Sequence, residues 1–186
     1  FARDGNAAKV WNDRCQMILD VPQDWLSNIP SRLAVIGSKV VIHASNRAIY
    51  VDGQPVVQVE DVAYASVGEP IDIGGKIAFF FHDKQEGYDK RFIVYDGKEY
   101  GKEYATAYSP FEFQGQLAYL ASNDGKGRSL NDFIVVGDRT IAQGYASIYD
   151  VTVVNGELAY LAEEKINPAS DALDGNLKTF IVLGDK

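Results

Sequence analysis

Two acidic residues stand at the same place of a recurring pattern and could do acid–base chemistry. Asp72 and Glu112 each lie three residues before a glycine, Gly75 and Gly115, that opens an apolar segment. If these segments lie in neighbouring sheets, the two carboxylates are neighbours. A glycosidase of the retaining or inverting type uses such a carboxylate pair, and a hard cation could also bind it. Solvated polar side chains without a ligand are the alternative.

A second set of polar residues lies six residues before Gly75, Gly115 and Gly156 or, in the first repeat, before Ser38. The pattern predicts a polar ring at the mouth of a channel, with these members: Arg32, Glu69, Ser109 and Asp150. Asp72 and Glu112 would lie deeper in the same channel. Glu69 and Asp150 form a second possible acid pair for a hydrolase.

Tyrosines recur eleven residues before the anchor glycines, which we define as Gly75, Gly115 and Gly156. The three are Tyr64, Tyr104 and Tyr145, and each is followed by Ala and then Ser or Thr. A second series, seven residues before the anchor, contains Tyr108 and Tyr149. Ring packing between sheets with a hydrogen-bonded hydroxyl is one explanation. The other is an aromatic platform that binds a sugar or a peptide.

The elements that position these residues are short strands. The anchor glycines are 40 and 41 residues apart, which is typical of a repeat that forms one unit of an array. Apolar runs rich in Ile, Val, Phe and Tyr predict strands at 40–42, 49–51, 77–81, 92–95, 117–120, 133–136, 158–161 and 180–183. Asp-Gly after such a run favours a hairpin turn. No window shows a convincing helical period.

Further strands are expected on either side of this pair. The segments before the anchors, 32–37, 69–74, 109–114 and 150–155, are in register and predict an innermost strand, and 98–104 and 140–145 predict an outer one. Four strands in about 40 residues is the arithmetic of a β-propeller blade. The fold class expected is therefore an all-β propeller.

The expected organisation is a single domain, 1–186, with irregular strands at 1–31 and repeats at 32–72, 73–112, 113–152 and 153–186. One interpretation is a closed propeller of four to five blades, in which an N-terminal strand at 9–13 or 15–19 completes the last sheet and removes an exposed edge. The other is that the chain is part of a larger propeller whose remaining blades lie outside it.

Residues 75–104, GKIAFFF followed by RFIVYDGKEYGKEY, resemble the WD-like repeats of bacterial β-propellers, similar to the propeller of the periplasmic Tol system. The resemblance extends over about 32–186 and includes Ser109-Pro110 and the anchor glycines, while the Trp-Asp dipeptide is absent. It implies four-stranded blades with the segment before the anchor innermost. It also implies a binding platform and a periplasmic or extracellular location.

The amino-acid composition limits the classes of partner and ligand that we expect the chain to bind. The chain has 18 Lys and Arg against 26 Asp and Glu, a formal charge of −8, so a nucleic-acid partner is not expected. No apolar run approaches the roughly 20 residues of a membrane span. Cys15 is the only cysteine, and His43 and His82 stand in different repeats, so neither a disulfide within the chain nor a metal site is expected. No cofactor motif occurs.

The function expected is a non-catalytic binding module for a protein or carbohydrate partner. The partner would meet the channel mouth or the face formed by three long polar loops, 82–91, 122–132 and 163–178. A small glycoside hydrolase that uses the inner-strand carboxylates is one alternative. A structural segment of a larger propeller is another.

Overall fold

The computed structural model describes residues 2–4, 7–11, 17–21, 32–44, 47–59, 65–85, 88–123, 131–166 and 177–184; for 2–21, 85, 88 and 89 the description is of the backbone alone. Within these residues the regular structure consists of nineteen strands and no helix. The predicted all-β class is confirmed. Among the same residues no helix has the length and apolarity needed to cross a membrane.

The first sheet, sheet N, is built from the N-terminal strands. It contains β1 (Ala2–Asp4), β2 (Ala7–Trp11) and β3 (Met17–Val21), and β2 pairs with both neighbours. Among the described residues these strands pair with one another, and none of them pairs with a strand of the last sheet. Short connections explain this, because closing a short loop costs less chain entropy than pairing with a distant edge.

Sheet 1 is a meander of four successive strands. These are β4 (Arg32–Ile36), β5 (Lys39–Ala44), β6 (Ala48–Val51) and β7 (Gln54–Gln58). The last hairpin turns at Asp52-Gly53, with φ values of 51° and 83°. Both residues are left-handed, as a two-residue type I′ turn requires, so the hairpin predicted from Asp-Gly is confirmed here.

Sheets 2, 3 and 4 are also built from strands that follow one another along the chain and pair with their neighbours. Sheet 2 contains β8 (Ala65–Val67), β9 (Ile71–Ile73), β10 (Lys76–Gln85), β11 (Tyr88–Tyr95) and β12 (Lys98–Tyr100). Sheet 3 contains β13 (Thr106–Phe113), β14 (Gln116–Ser122), β15 (Asp132–Val136) and β16 (Arg139–Tyr145). Sheet 4 contains β17 (Ser147–Val154), β18 (Glu157–Lys165) and β19 (Leu177–Leu183). A parallel bridge between Arg91 and Thr106 joins sheets 2 and 3 into one nine-stranded sheet.

Two of the strands that were predicted as innermost, β13 and β17, are longer and less regular than the sequence predicts. β13 and β17 begin before the expected segments, and each contains a register shift, after Tyr108 and after Tyr149. In sheet 2 the same place is occupied by Glu69 and Pro70, between β8 and β9. Proline lacks the N–H that a strand interior needs, so pairing stops there and resumes at Ile71.

Sheets 1 to 4 pack face to face in succession, with an apolar core between each neighbouring pair. Sheets 1 and 2 enclose Val41, Ile49 and Phe79, and sheets 2 and 3 enclose Ile93, Tyr119 and Phe133, among others. Sheets 3 and 4 enclose a third core, which includes Ile134, Val136, Leu158, Tyr160 and Val182. Sheet 3 is therefore covered on both faces, and all five residues of β15 are buried.

Candidate functional site

The predicted acid pair meets at a single hairpin turn. Asp72 Oδ1 accepts a hydrogen bond from the Gly75 N–H at 2.7 Å, and Glu112 Oε2 accepts one from the Gly74 N–H at 3.1 Å. Both glycines have positive φ, 59° and 79°. In such a turn the two central N–H groups have no partner in the ladder, so the carboxylates satisfy them.

This geometry changes the interpretation of Asp72 and Glu112. They are brought together, as predicted, yet both are exposed and both are bonded to backbone. Among the described residues no group of three His, Cys, Asp or Glu side chains is arranged to hold a metal ion. The pair therefore stabilises the turn between β9 and β10 and links it to sheet 3.

The predicted polar ring is only partly assembled. The Arg32 guanidinium forms an ion pair with the Glu69 carboxylate, which connects the beginning of β4 to sheet 2. Both side chains are about half exposed, so the pair contributes at most about 1 kcal/mol. No hydrogen bond or ion pair between described residues joins Ser109 or Asp150 to them.

Ser109 and Asp150 instead shape the backbone. They occupy equivalent positions in β13 and β17, with φ values of 49° and 53°, at the register shifts of these strands. A positive φ is uncommon outside glycine, and Asp is among the residues that tolerate it best. The two residues were predicted as ring members, and the structure places them as exposed bulge residues.

Two tyrosines of the first series, Tyr104 and Tyr145, make contacts with other aromatic rings. Tyr104 stands edge-on to Phe133, with centroids 5.0 Å apart, and Tyr145 contacts Tyr160 and Phe180 at 6.0 and 5.7 Å. Both tyrosines are half-buried. Tyr64 lies outside the described residues.

The second tyrosine series uses its hydroxyl groups. Tyr108 donates to Asp132 Oδ2 at 3.0 Å, and Tyr149 donates to Glu163 Oε1 at 3.2 Å. Each bond lies within one sheet, so the two tyrosines are equivalent in sheets 3 and 4. A bonded hydroxyl is one part of the structural interpretation, which expects ring packing between sheets, and the Tyr108 ring also packs against the core between sheets 3 and 4.

A cavity of about 370 Å³ opens beside Tyr104 on sheet 3. Three exposed amide side chains line it: Asn123 follows β14, Asn131 precedes β15, and Gln143 lies on β16. Thr140 and Gly144 complete the wall, and Asp132 and Phe133 lie at the buried end of β15. Amides offer both donors and acceptors, so this wall can bind hydroxyl or amide groups in matched pairs.

The backbone of β16 positions part of this wall. Ala142 and Gly144 have positive φ, 54° and 94°, and the pairing of β15 with β16 shifts register after Asp132. This irregularity places Gln143 and Gly144 at the cavity, opposite the residues of the β14–β15 connection. Sequence reasoning named the long loop 122–132 and Tyr104, but it missed Gln143 because nothing local marks the bulge.

Asp132 is a buried carboxylate, 1% exposed, at the inner side of this cavity. Besides Tyr108, its Oδ2 accepts from the Ile148 N–H at 3.0 Å and the Ser147 hydroxyl at 3.5 Å, both at the start of β17. Hydrogen bonds to a carboxylate are stronger than those between neutral groups. Asp132 therefore connects sheet 3 to sheet 4.

A second cavity, of about 620 Å³, lies between β7 and sheet 2. Its wall is mainly apolar, with Val56, Phe79, Phe81 and Phe92 among its members and Lys98 at its rim. It lacks the set of amides that distinguishes the cavity beside Tyr104.

Neither a scan of family models nor searches of curated proteins and of solved structures give a match to the chain.

Proposed function

We propose that sheets 1 to 4 are successive blades of a β-propeller and that the chain is a non-catalytic binding module. The blade arrangement is supported by the shared strand order, in which the segment before each anchor comes first. It is also supported by the three apolar cores between consecutive sheets. Repeated sheets that cannot cover their own faces are stabilised by stacking.

The ligand site that we propose is the cavity beside Tyr104. The single observation on which this rests is that Asn123, Asn131 and Gln143 converge next to a half-buried aromatic ring. A volume of about 370 Å³ is within the range of small-molecule sites. Part of the wall comes from the ends of the 122–132 loop, and loops on a rigid scaffold commonly recognise ligands.

The ligand class favoured by this wall is a neutral carbohydrate. Neighbouring sugar hydroxyls both donate and accept hydrogen bonds, and side-chain amides match this pattern without a net charge. The Tyr104 ring offers an apolar surface for the C–H face of a sugar. Among the lining residues that the structure describes, the one carboxylate, Asp132, is already bonded to sheet 4.

The hydrolase alternative has less support. Asp72 and Glu112 accept backbone hydrogen bonds at an exposed turn, which leaves them without the enclosed site that an acid–base pair needs. Glu69 is paired with Arg32, and Asp150 belongs to a bulge. We therefore propose binding without catalysis.

The proposal is tested by titrating the full chain with a panel of neutral mono- and oligosaccharides, followed by NMR. We expect chemical-shift changes at Asn123, Asn131 and Gln143 and millimolar or tighter affinity. Gln143→Ala should weaken binding about 5-fold, since one hydrogen bond contributes about 1 kcal/mol. Gln54→Ala, an exposed amide on sheet 1, is the matched control and should bind as wild type does. Absence of binding across the panel, or shifts elsewhere, would contradict the proposal. Shifts at the same residues with a second panel of short peptides, but with no sugar, would assign the site to a protein partner.

A further inference from the structure

The last sheet has one apolar face that the described residues leave open. We call the side of sheet 4 that carries Leu161, Ile181 and Leu183 its outer face. Ile181 is 72% exposed and Leu183 is 65% exposed, whereas their neighbour Val182, on the opposite side of β19, is buried against sheet 3. A contiguous exposed apolar face of this kind marks an interaction site.

The same positions of sheet 3 are completely covered. In sheet 3, Leu120 pairs with Ile134 and Ala118 with Val136; in sheet 4, Leu161 pairs with Ile181 and Ala159 with Leu183. Leu120, Ile134 and Val136 are 3%, 0% and 1% exposed because sheet 4 packs on them. The outer face of sheet 4 is thus the counterpart of a face that another sheet buries.

A carboxylate supports the same equivalence. In sheet 3, Tyr108 donates to Asp132, and this carboxylate also accepts from Ile148 and Ser147 of the covering sheet. In sheet 4, Tyr149 donates to Glu163 at 3.2 Å, and Thr179 donates to the same oxygen at 3.4 Å. Ser122 of β14 pairs with Asp132 of β15, and at the equivalent place in sheet 4 Glu163 of β18 pairs with Thr179 of β19. Both sheets therefore have a carboxylate in this residue pair, on the second strand of the pair in sheet 3 and on the first in sheet 4.

We propose that the outer face of sheet 4 docks a further β-sheet of the same kind, and that Glu163 binds the beginning of its innermost strand. The docked sheet would present an apolar side like that of Leu158, Tyr160 and Val182, and a backbone N–H with a hydroxyl beside it for Glu163. This inference is independent of the carbohydrate site, since it rests on the packing between sheets 3 and 4.

A second copy of this chain is a poorer occupant. Head-to-tail docking would need the far side of sheet 1 to be open, but Ile42 and Tyr50 on that side are 2% and 5% exposed. Face-to-face docking would bury the Glu163 carboxylates of both copies in a contact that offers them no backbone N–H of an incoming strand, and a desolvated charge without such a partner is unfavourable. A further sheet of the same kind avoids both problems.

The test adds such a sheet to the full chain. A copy of residues 140–186 is appended after Lys186, which keeps the spacing that leads from the Gly137 turn through β16 to β17. Methyl NMR with a soluble paramagnetic agent then measures how accessible Ile181 is. We expect its relaxation enhancement to fall at least fivefold in the extended chain. A control extended only by residues 140–146 can pair with the β19 edge but cannot cover the outer face, and should leave the Ile181 methyl accessible.

Two variants make the test specific. Glu163→Ala in the extended chain should restore much of the Ile181 accessibility if the carboxylate anchors the added sheet. Ile181→Asp should be tolerated in the original chain, where the side chain is exposed, and should prevent docking in the extended chain. Equal accessibility in the extended chain and the strand-only control would overturn the proposal. So would a stable dimer of the original chain that protects Ile181, since it would assign the outer face to a second copy.

Discussion

At the scale of single residues, most acidic side chains that could have formed a reactive centre instead stabilise the backbone, either by accepting hydrogen bonds from N–H groups or by adopting a left-handed conformation. Asp72 and Glu112 bind a turn, Asp132 binds the first residues of the next sheet, and Asp150 adopts a left-handed conformation at a bulge. Backbone donors that the ladders leave unpaired must be satisfied, and a carboxylate does this strongly. Acidic residues are consequently part of the connection between sheets.

Asp132→Ala is expected to destabilise the protein by about 3 kcal/mol. The change removes the acceptor for the Ile148 N–H and the Tyr108 hydroxyl, and a buried donor without a partner costs about 1–3 kcal/mol. Urea unfolding measures the effect. Asp138→Ala, an exposed residue of the following turn, is the control and should change stability by less than about 0.5 kcal/mol. Equal losses in the two variants would show that Asp132 is not a link between sheets.

His43 is expected to make stability depend on pH. Burial lowers its pKa below the usual 6.5, and Arg32 adds to this, while the hydrogen bond between its Nε2 and the Val67 carbonyl acts in the opposite direction. The unfolded chain therefore binds a proton near pH 6.5 that the folded chain resists, so stability falls as pH drops below about 6.5 and stops falling below the folded-state pKa.

The measurement compares urea midpoints at several pH values from 7.5 downward. His43→Gln can still donate to the Val67 carbonyl but does not titrate, so the variant should lose part of the decline seen in the wild type. Identical pH profiles for the two proteins would exclude His43 as the cause.

At the scale of elements, the residues of a turn determine its backbone conformation. The atoms packed against the turn determine which substitutions it tolerates. Gly115 has a φ of 73° and open space where a Cβ would lie. Gly37 has a φ of 61°, but its Cβ would lie 2.8 Å from the Gly75 carbonyl oxygen. The turn of sheet 1 therefore packs directly on the turn of sheet 2.

Gly37→Ala should cost more stability than Gly115→Ala. The left-handed conformation alone costs a residue with a Cβ about 1–2 kcal/mol, and this cost applies to both variants. At position 37 the contact with Gly75 backbone adds to it, because backbone atoms cannot move away as a flexible side chain can. Denaturant unfolding of both variants checks the order, and an equal cost would mean that the two turns do not pack as closely as the structure indicates.

At the scale of the whole molecule, the sheets depend on their neighbours for burial. Sheet 3 is covered on both sides, and its core strand β15 has no exposed residue. Sheet 4 is covered on the side of Val182 and open on the side of Ile181. Equivalent residues thus make unequal contributions to stability according to their place in the stack.

Ile134→Ala and Ile181→Ala test this at one register position. Ile134 is fully buried between sheets 3 and 4, so its truncation should cost about 2–4 kcal/mol through lost burial and a cavity. Ile181 is largely exposed, so the same change should cost less than about 1 kcal/mol. Thermal unfolding compares the two variants, and similar losses would contradict the inequality of the two faces.

Local patterns alone determined the strands and several of their turns. Apolar runs of Ile, Val, Phe and Tyr became strands, and Asp52-Gly53 became a type I′ turn, because side-chain shape and backbone sterics act within a few residues. The proximity of Asp72 and Glu112 also followed from the repeat spacing.

Only the tertiary structure determined whether those residues are buried or exposed and which groups they contact. Asp132 begins β15 and Asp138 follows it by two residues, yet Asp132 is buried against sheet 4 and Asp138 is exposed. Gln143 reaches the Tyr104 cavity through a bulge in β16, and Ile181 differs from Ile134 only in having no sheet over it among the described residues. Burial and hydrogen bonding of these side chains depend on a neighbouring sheet brought near by folding, and no local pattern of residues specifies that neighbour.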